Sequence, residues 1–181
     1  DGLSRHTGGS GERNTKALGL RDAARYRERF FIPATYETQV TGNLEKALAT
    51  CELFVQTYPR EKNAYGILGA YIYPMLDKYD KGVEIAKRFI ELDPNFSIGY
   101  LQLAFNSQFF GDLAQAEKAL QRASDRKIEI VELAAQRYDL AFLKGDQAGM
   151  DREAARAEGP GVPNQLVLAR PALLLLHGGR L

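Results

Sequence analysis

Gly111-Asp112-Leu113-Ala114-Gln115-Ala116 repeats in outline Gly42-Asn43-Leu44-Glu45-Lys46-Ala47, and this pair of segments decides the fold. Each opens on a glycine able to take the left-handed backbone that ends a helix. An Asn or Asp follows, placed to accept a backbone N–H at the start of the next helix. Working outward, similar turns stand at Leu76-Asp77-Lys78, Lys144-Gly145-Asp146 and Gly178-Gly179-Arg180. The central residues of the five turns are 42, 77, 111, 145 and 179, in steps of 35, 34, 34 and 34. A period of about 34 residues is the register of stacked helix–turn–helix units.

The residues between the turns agree. Apolar side chains at three- and four-residue spacing mark one helix face in Leu44, Ala47, Leu48, Cys51, Phe54 and Val55. Tyr79, Val83, Ala86, Phe89 and Ile90 repeat that face, as do Leu113, Ala116, Ala119, Leu120 and Ala123. A second set of helices is expected at about Arg25–Val40, Glu61–Leu76, Phe96–Phe110 and Glu129–Lys144. No run sustains a period of two, so the chain reads as all-α. Tyr58-Pro59 and Asp93-Pro94 should stop the second helices of their units, because proline lacks the N–H donor and crowds the preceding turn. Links this short make neighbouring helices antiparallel.

These residues resemble the tetratricopeptide repeat (TPR) family. Tyr65-Gly66-Ile67-Leu68-Gly69-Ala70-Tyr71-Ile72 is similar to its first helix, and Lys78–Ala86 with Phe89-Ile90-Glu91-Leu92-Asp93-Pro94 to its second. The resemblance implies a TPR-type α-solenoid of stacked antiparallel helix pairs, about four repeats plus a half. Its units fall at about 25–59, 60–94, 95–128 and 129–162, with a half unit at 163–181 after a flexible, glycine-rich leader at 1–13. Ala47, Gly82 and Ala116 would sit where helices cross closely, with Phe31, Tyr65 and Tyr100 filling the space between pairs. Arg27–Ile32, Thr41–Ala47 and Thr57–Arg60 resemble a bacterial subgroup in which such repeats follow serine/threonine kinase domains.

Departures from the repeat are visible. Asp77 replaces a turn glycine, and its unit carries one extra residue near Tyr73-Pro74, where a kink or an early helix end is expected. In the fourth unit Ala134 stands where an aromatic is usual and Arg137 where leucine is. Pro171 interrupts the half unit, whose Leu173–Leu176 face lacks a partner helix and suggests pairing of copies through the C-terminal helix.

Function is expected to come from a surface. The resemblance implies that first helices line a concave groove taking a protein or peptide partner. The inward positions are assigned to Tyr36, Gln39, Ala70, Tyr73, Leu101, Phe105, Gln108, Phe109, Glu132, Asp139 and Phe142. Tyr71, Phe89 and Phe54 are assigned to the core instead. The positions at which chaperone-binding relatives clamp a carboxylate hold Ile32, Tyr36, Ile67, Ile98 and Gln102, so an acidic chaperone tail is not expected.

Chemistry in the chain itself has little support. His6 and His177 lie at opposite ends, and the kinase glycine loop, His-Arg-Asp and Asp-Phe-Gly signatures are missing. No catalytic residue, metal or cofactor is assigned, and the chain is read as a non-enzyme. A formal net charge of +1 gives no reason to expect nucleic acid. The single cysteine, Cys51, is read as a buried structural thiol. With no apolar run of roughly 18 residues and no signal sequence at Asp1, the expectation is a soluble fragment of a larger protein, on either side of a bacterial membrane. The alternative reading is an oligomerisation region assembling through the uncapped C-terminal face.

Overall fold

A computed structural model describes Arg25 and residues 27–157; the leader at 1–13, the half unit at 163–181 and Pro171 lie outside the described residues. Every element among those residues is helical. Eight helices follow in order: α1 (27–41), α2 (Leu44–Thr57), α3 (62–75), α4 (Tyr79–Leu92), α5 (Ser97–Phe110), α6 (Leu113–Asp125), α7 (Val131–Lys144) and α8 (Gln147–Ala157). Among the described residues, no helix is long and apolar enough to cross a membrane. The chain divides into two compact units between Ala64 and Tyr65.

The turns behave as their residues require. Gly42, Gly111 and Gly145 take φ of 68°, 91° and 70°, and Asp77 shares that left-handed backbone at 55°. At Asp77, Gly111 and Gly145 a paired closure satisfies the last carbonyls, as in Lys78 N to Tyr73 O (2.9 Å) with Asp77 N to Pro74 O (3.1 Å). Asn43 Oδ1 accepts from Lys46 N at 3.0 Å, Asp112 Oδ1 from Gln115 N at 2.9 Å and Asp146 Oδ1 from Gly149 N at 2.9 Å. These three are the caps expected from their position after a glycine. Helices α2 and α4 stop just before the Tyr58-Pro59 and Asp93-Pro94 pairs. A further left-handed residue, Lys127 at φ 59°, closes α6 in the same way.

Two first helices depart from regular α geometry. In α1, π-helical turns at Arg27–Phe31 and Glu37–Thr41 flank Ile32–Tyr36. In α3 a π-turn at Leu68–Ile72 separates Lys62–Ile67 from Tyr73–Met75. A π-turn accommodates one inserted residue without ending the helix. It therefore absorbs the extra residue near Tyr73-Pro74, where a kink or an early helix end is expected from the sequence. The same device corrects α1: Phe30, not Phe31, is the buried aromatic, stacked on Phe54 with centroids 5.0 Å apart. Phe30 precedes Gly42 by twelve residues and Tyr65 precedes Asp77 by twelve, while Tyr100 in the regular α5 precedes Gly111 by eleven.

The core of the first unit is Phe30, Ala34, Ala47, Cys51 and Phe54, with Tyr58 edge-on to both phenyl rings. Burial pushes the Cys51 thiol up to about 12, with the charge of Glu52 adding to it. In the second unit one cluster joins α4, α5, α6 and α7 through residues such as Ile90, Tyr100, Leu103, Leu120 and Leu133. Ala116 and Gly82 are buried at the close approaches, as their size predicted.

Candidate functional site: the exposed stripes of the first helices

A polar seam sets the register between α3 and α5. Tyr73 N bonds Leu68 O across the π-turn, and Pro74 has no N–H. The Gly69 carbonyl therefore loses both its α and its π donor. Asn106 Nδ2 replaces them at 2.9 Å and also donates to Gln102 O at 2.8 Å. Gln102 Nε2 donates to Gly66 O at 2.9 Å, one turn earlier. With 66 opposite 102 and 69 opposite 106, α3 and α5 run parallel and level.

That register places two apolar stripes side by side on the second unit. On α3, Ile67 is half-buried while Tyr71 and Met75 are exposed; on α5, Leu101, Phe105 and Phe109 are half-buried. Each set is spaced by four residues and so follows one face of its helix. The Phe105 and Phe109 rings lie 4.6 Å apart, and Tyr79 stacks on Phe109 at 5.3 Å. Burial raises the Tyr79 hydroxyl above its usual value, and the charge of Asp77 raises it further. In the first unit, Ile32, Tyr36 and Val40 repeat the same spacing on α1, all exposed.

The assigned groove positions divide. Leu101, Phe105 and Phe109 come together, and Tyr36 and Gln39 are exposed on α1. Glu132 is exposed at the start of α7 and Phe142 half-buried near its end, about 15 Å further along the helix. Ala70 is half-buried.

Three assignments need correction. Tyr73 is buried. Gln108 is turned inward, where its Oε1 accepts from Gln136 Nε2 at 2.7 Å. Asp139 is 2% exposed, so it presents no open carboxylate. Tyr71, assigned to the core, is 58% exposed, whereas Phe54 and Phe89 are buried as expected. A signal for Tyr71 was present: it stands six residues before its turn, as Tyr36 and Phe105 do.

The unusual Arg137 also has a structural account. Its Nε donates to Glu153 Oε2 at 3.0 Å, and its terminal nitrogens reach Ser124 Oγ and Glu129. Arg156 donates to the other Glu153 oxygen at 2.9 Å. An ion network thus ties α6, α7 and α8 where leucine is usual. Among the described residues, no group of three His, Cys, Asp or Glu side chains could hold a metal ion.

Paired antiparallel helices, repeated at about 34 residues with small residues at the crossings, find a counterpart among solved structures. A tetratricopeptide repeat protein from Parabacteroides merdae is similar, with a TM-score of 0.63 at 19% sequence identity over 81% of this chain. The fold is that of the tetratricopeptide repeat. The chain spans 57% of that TPR structure's length. No protein-family model matches the chain, and no curated protein matches it. Within the TPR fold, the stripes on α1, α3 and α5 all belong to first helices of their pairs.

Proposed function

We propose that this chain is a protein–protein interaction module, without chemistry of its own, that serves as a regulatory part of a larger protein. Its second unit binds an extended or helical peptide along the parallel stripes of α3 and α5. The observation that carries this reading is the exposure of Tyr71 and Met75 beside the half-buried Leu101, Phe105 and Phe109. Aromatic side chains offer large contact area with few rotamers to freeze, which suits a peptide anchor. The ring contacts from Tyr79 through Phe109 to Phe105 stiffen that surface before any partner arrives.

Selection of peptides from a random display library against the purified chain tests the reading. Selected peptides should carry aromatic or aliphatic anchors. Tyr71→Ala combined with Phe105→Ala should weaken them by about a hundredfold, since each lost anchor costs at least 1–2 kcal/mol. Helical circular dichroism should be unchanged. Undiminished affinity in the double variant would remove the α3–α5 face from consideration.

A further inference from the structure

The other side of the second unit carries a groove that the stripes do not use. It runs between α4 and α6, encloses about 470 Å³, and has Ile90, Leu103 and Ala119 in its floor. Its walls bring together Lys87 from α4 with Lys118, Arg122 and Arg126 from α6 and its end, and only one carboxylate, Glu91. All four cationic residues are exposed. Arg122 lies over the Tyr100 ring at 5.9 Å, and Arg126 donates to the neutral Asn95 side chain at 3.2 Å. The four charges come from two helices yet face one channel, in a chain whose net charge is only +1.

We infer that this groove docks an acidic peptide segment of a partner protein. Its carboxylates would lie between Lys87 and the α6 cations, with a small apolar side chain seated over Leu103. The volume falls within the range of about 300–1,000 Å³ common for ligand sites. Charge complementarity selects the occupant, because a basic or neutral segment would leave four cations facing one another across the channel. A nucleic-acid strand fits less well. It gains affinity from many phosphate contacts and from stacking on exposed aromatics, whereas Tyr100, the ring beneath Arg122, is fully buried.

Fluorescence anisotropy on the full chain tests the assignment. The probes are a labelled peptide of repeated Asp-Glu-Leu-Gly, its counterpart with lysine at every acidic position, and labelled oligothymidylate. The acidic peptide should bind, weaken with added salt, and outbind both other probes. Lys118→Glu with Arg122→Glu should lower its affinity about tenfold or more, and Lys87→Glu with Arg126→Glu should do the same independently. Tyr71→Ala with Phe105→Ala should leave it unchanged, which separates this groove from the stripes. The inference is overturned if the acidic peptide does not bind, or if both charge-reversal pairs leave its affinity intact. It is equally overturned if oligothymidylate binds as tightly, which would make the groove a polyanion site.

Discussion

Gly82→Ala sets two physical rules against each other. Gly82 lies in the first turns of α4, where alanine is favoured over glycine by up to about 1 kcal/mol. Yet a Cβ built there would overlap the side-chain oxygen and carbon of Asn106 and lie 3.0 Å from its nitrogen. Asn106 cannot step aside cheaply. It is fully buried, and its amide is the donor that replaces the missing helical partners of Gly69 O. Displacing it leaves a buried carbonyl and a buried amide without partners, at roughly 1–3 kcal/mol each. Set against the propensity gain, the net loss is about 2–3 kcal/mol. In a chain of this size that is a fall in Tm of roughly 5–10 °C.

Urea and thermal unfolding, followed by helical circular dichroism, measure the change. The companion experiment is a cycle with Asn106→Ala. That change alone orphans Gly69 O and opens a void, which the methyl group introduced by Gly82→Ala would then partly fill. The double variant should therefore be no less stable than Asn106→Ala, giving a coupling of about 2 kcal/mol. If Gly82→Ala is neutral or stabilising, propensity has won, and the seam is not what sets the α3–α5 register.

Other consequences are equally open to measurement. Lys127→Gly should stabilise the chain by about 0.5–1 kcal/mol, read from the urea midpoint, because a lysine now holds a left-handed backbone that glycine takes freely. Glu153→Ala should cost about 3 kcal/mol by leaving Arg137, only 12% exposed, short of a buried partner. Replacing both by Met should restore most of that loss. Cys51 should resist iodoacetamide in the native state and react only when unfolded. Since its folded pKa lies above the unfolded value, the thiol should also make stability fall as pH rises past about 8.5, a slope absent in Cys51→Ala. Glu37 shows the opposite sign. Hydrogen bonds from Lys46 and then Thr41 hold its carboxyl below the usual carboxylate value, so its contribution is present at neutral pH and lost as pH falls through the lowered pKa. Glu37→Gln should flatten the acid limb of the stability profile.

The amino-acid sequence by itself determined what depends on neighbours along the chain. Left-handed turns at Gly42, Asp77, Gly111 and Gly145, caps at Asn43, Asp112 and Asp146, and the stops before Pro59 and Pro94 are all local backbone chemistry. So is the period, because each unit repeats the same short-range choices. Which side chain faces which way was a different matter. A single inserted residue can end a helix, kink it or be absorbed, and only tertiary packing chooses among these. The structure absorbs it in π-turns, which rotate the residues before the turn relative to those after it. That rotation puts Phe30 in the core in place of Phe31. Long-range polar contacts decided the rest. Asn106 reaches a carbonyl 37 positions away and Gln136 draws Gln108 inward from 28 positions away, and no local pattern announces either pairing. The basic groove has the same origin, since Lys87 and Arg122 meet only because α4 and α6 stack on α5.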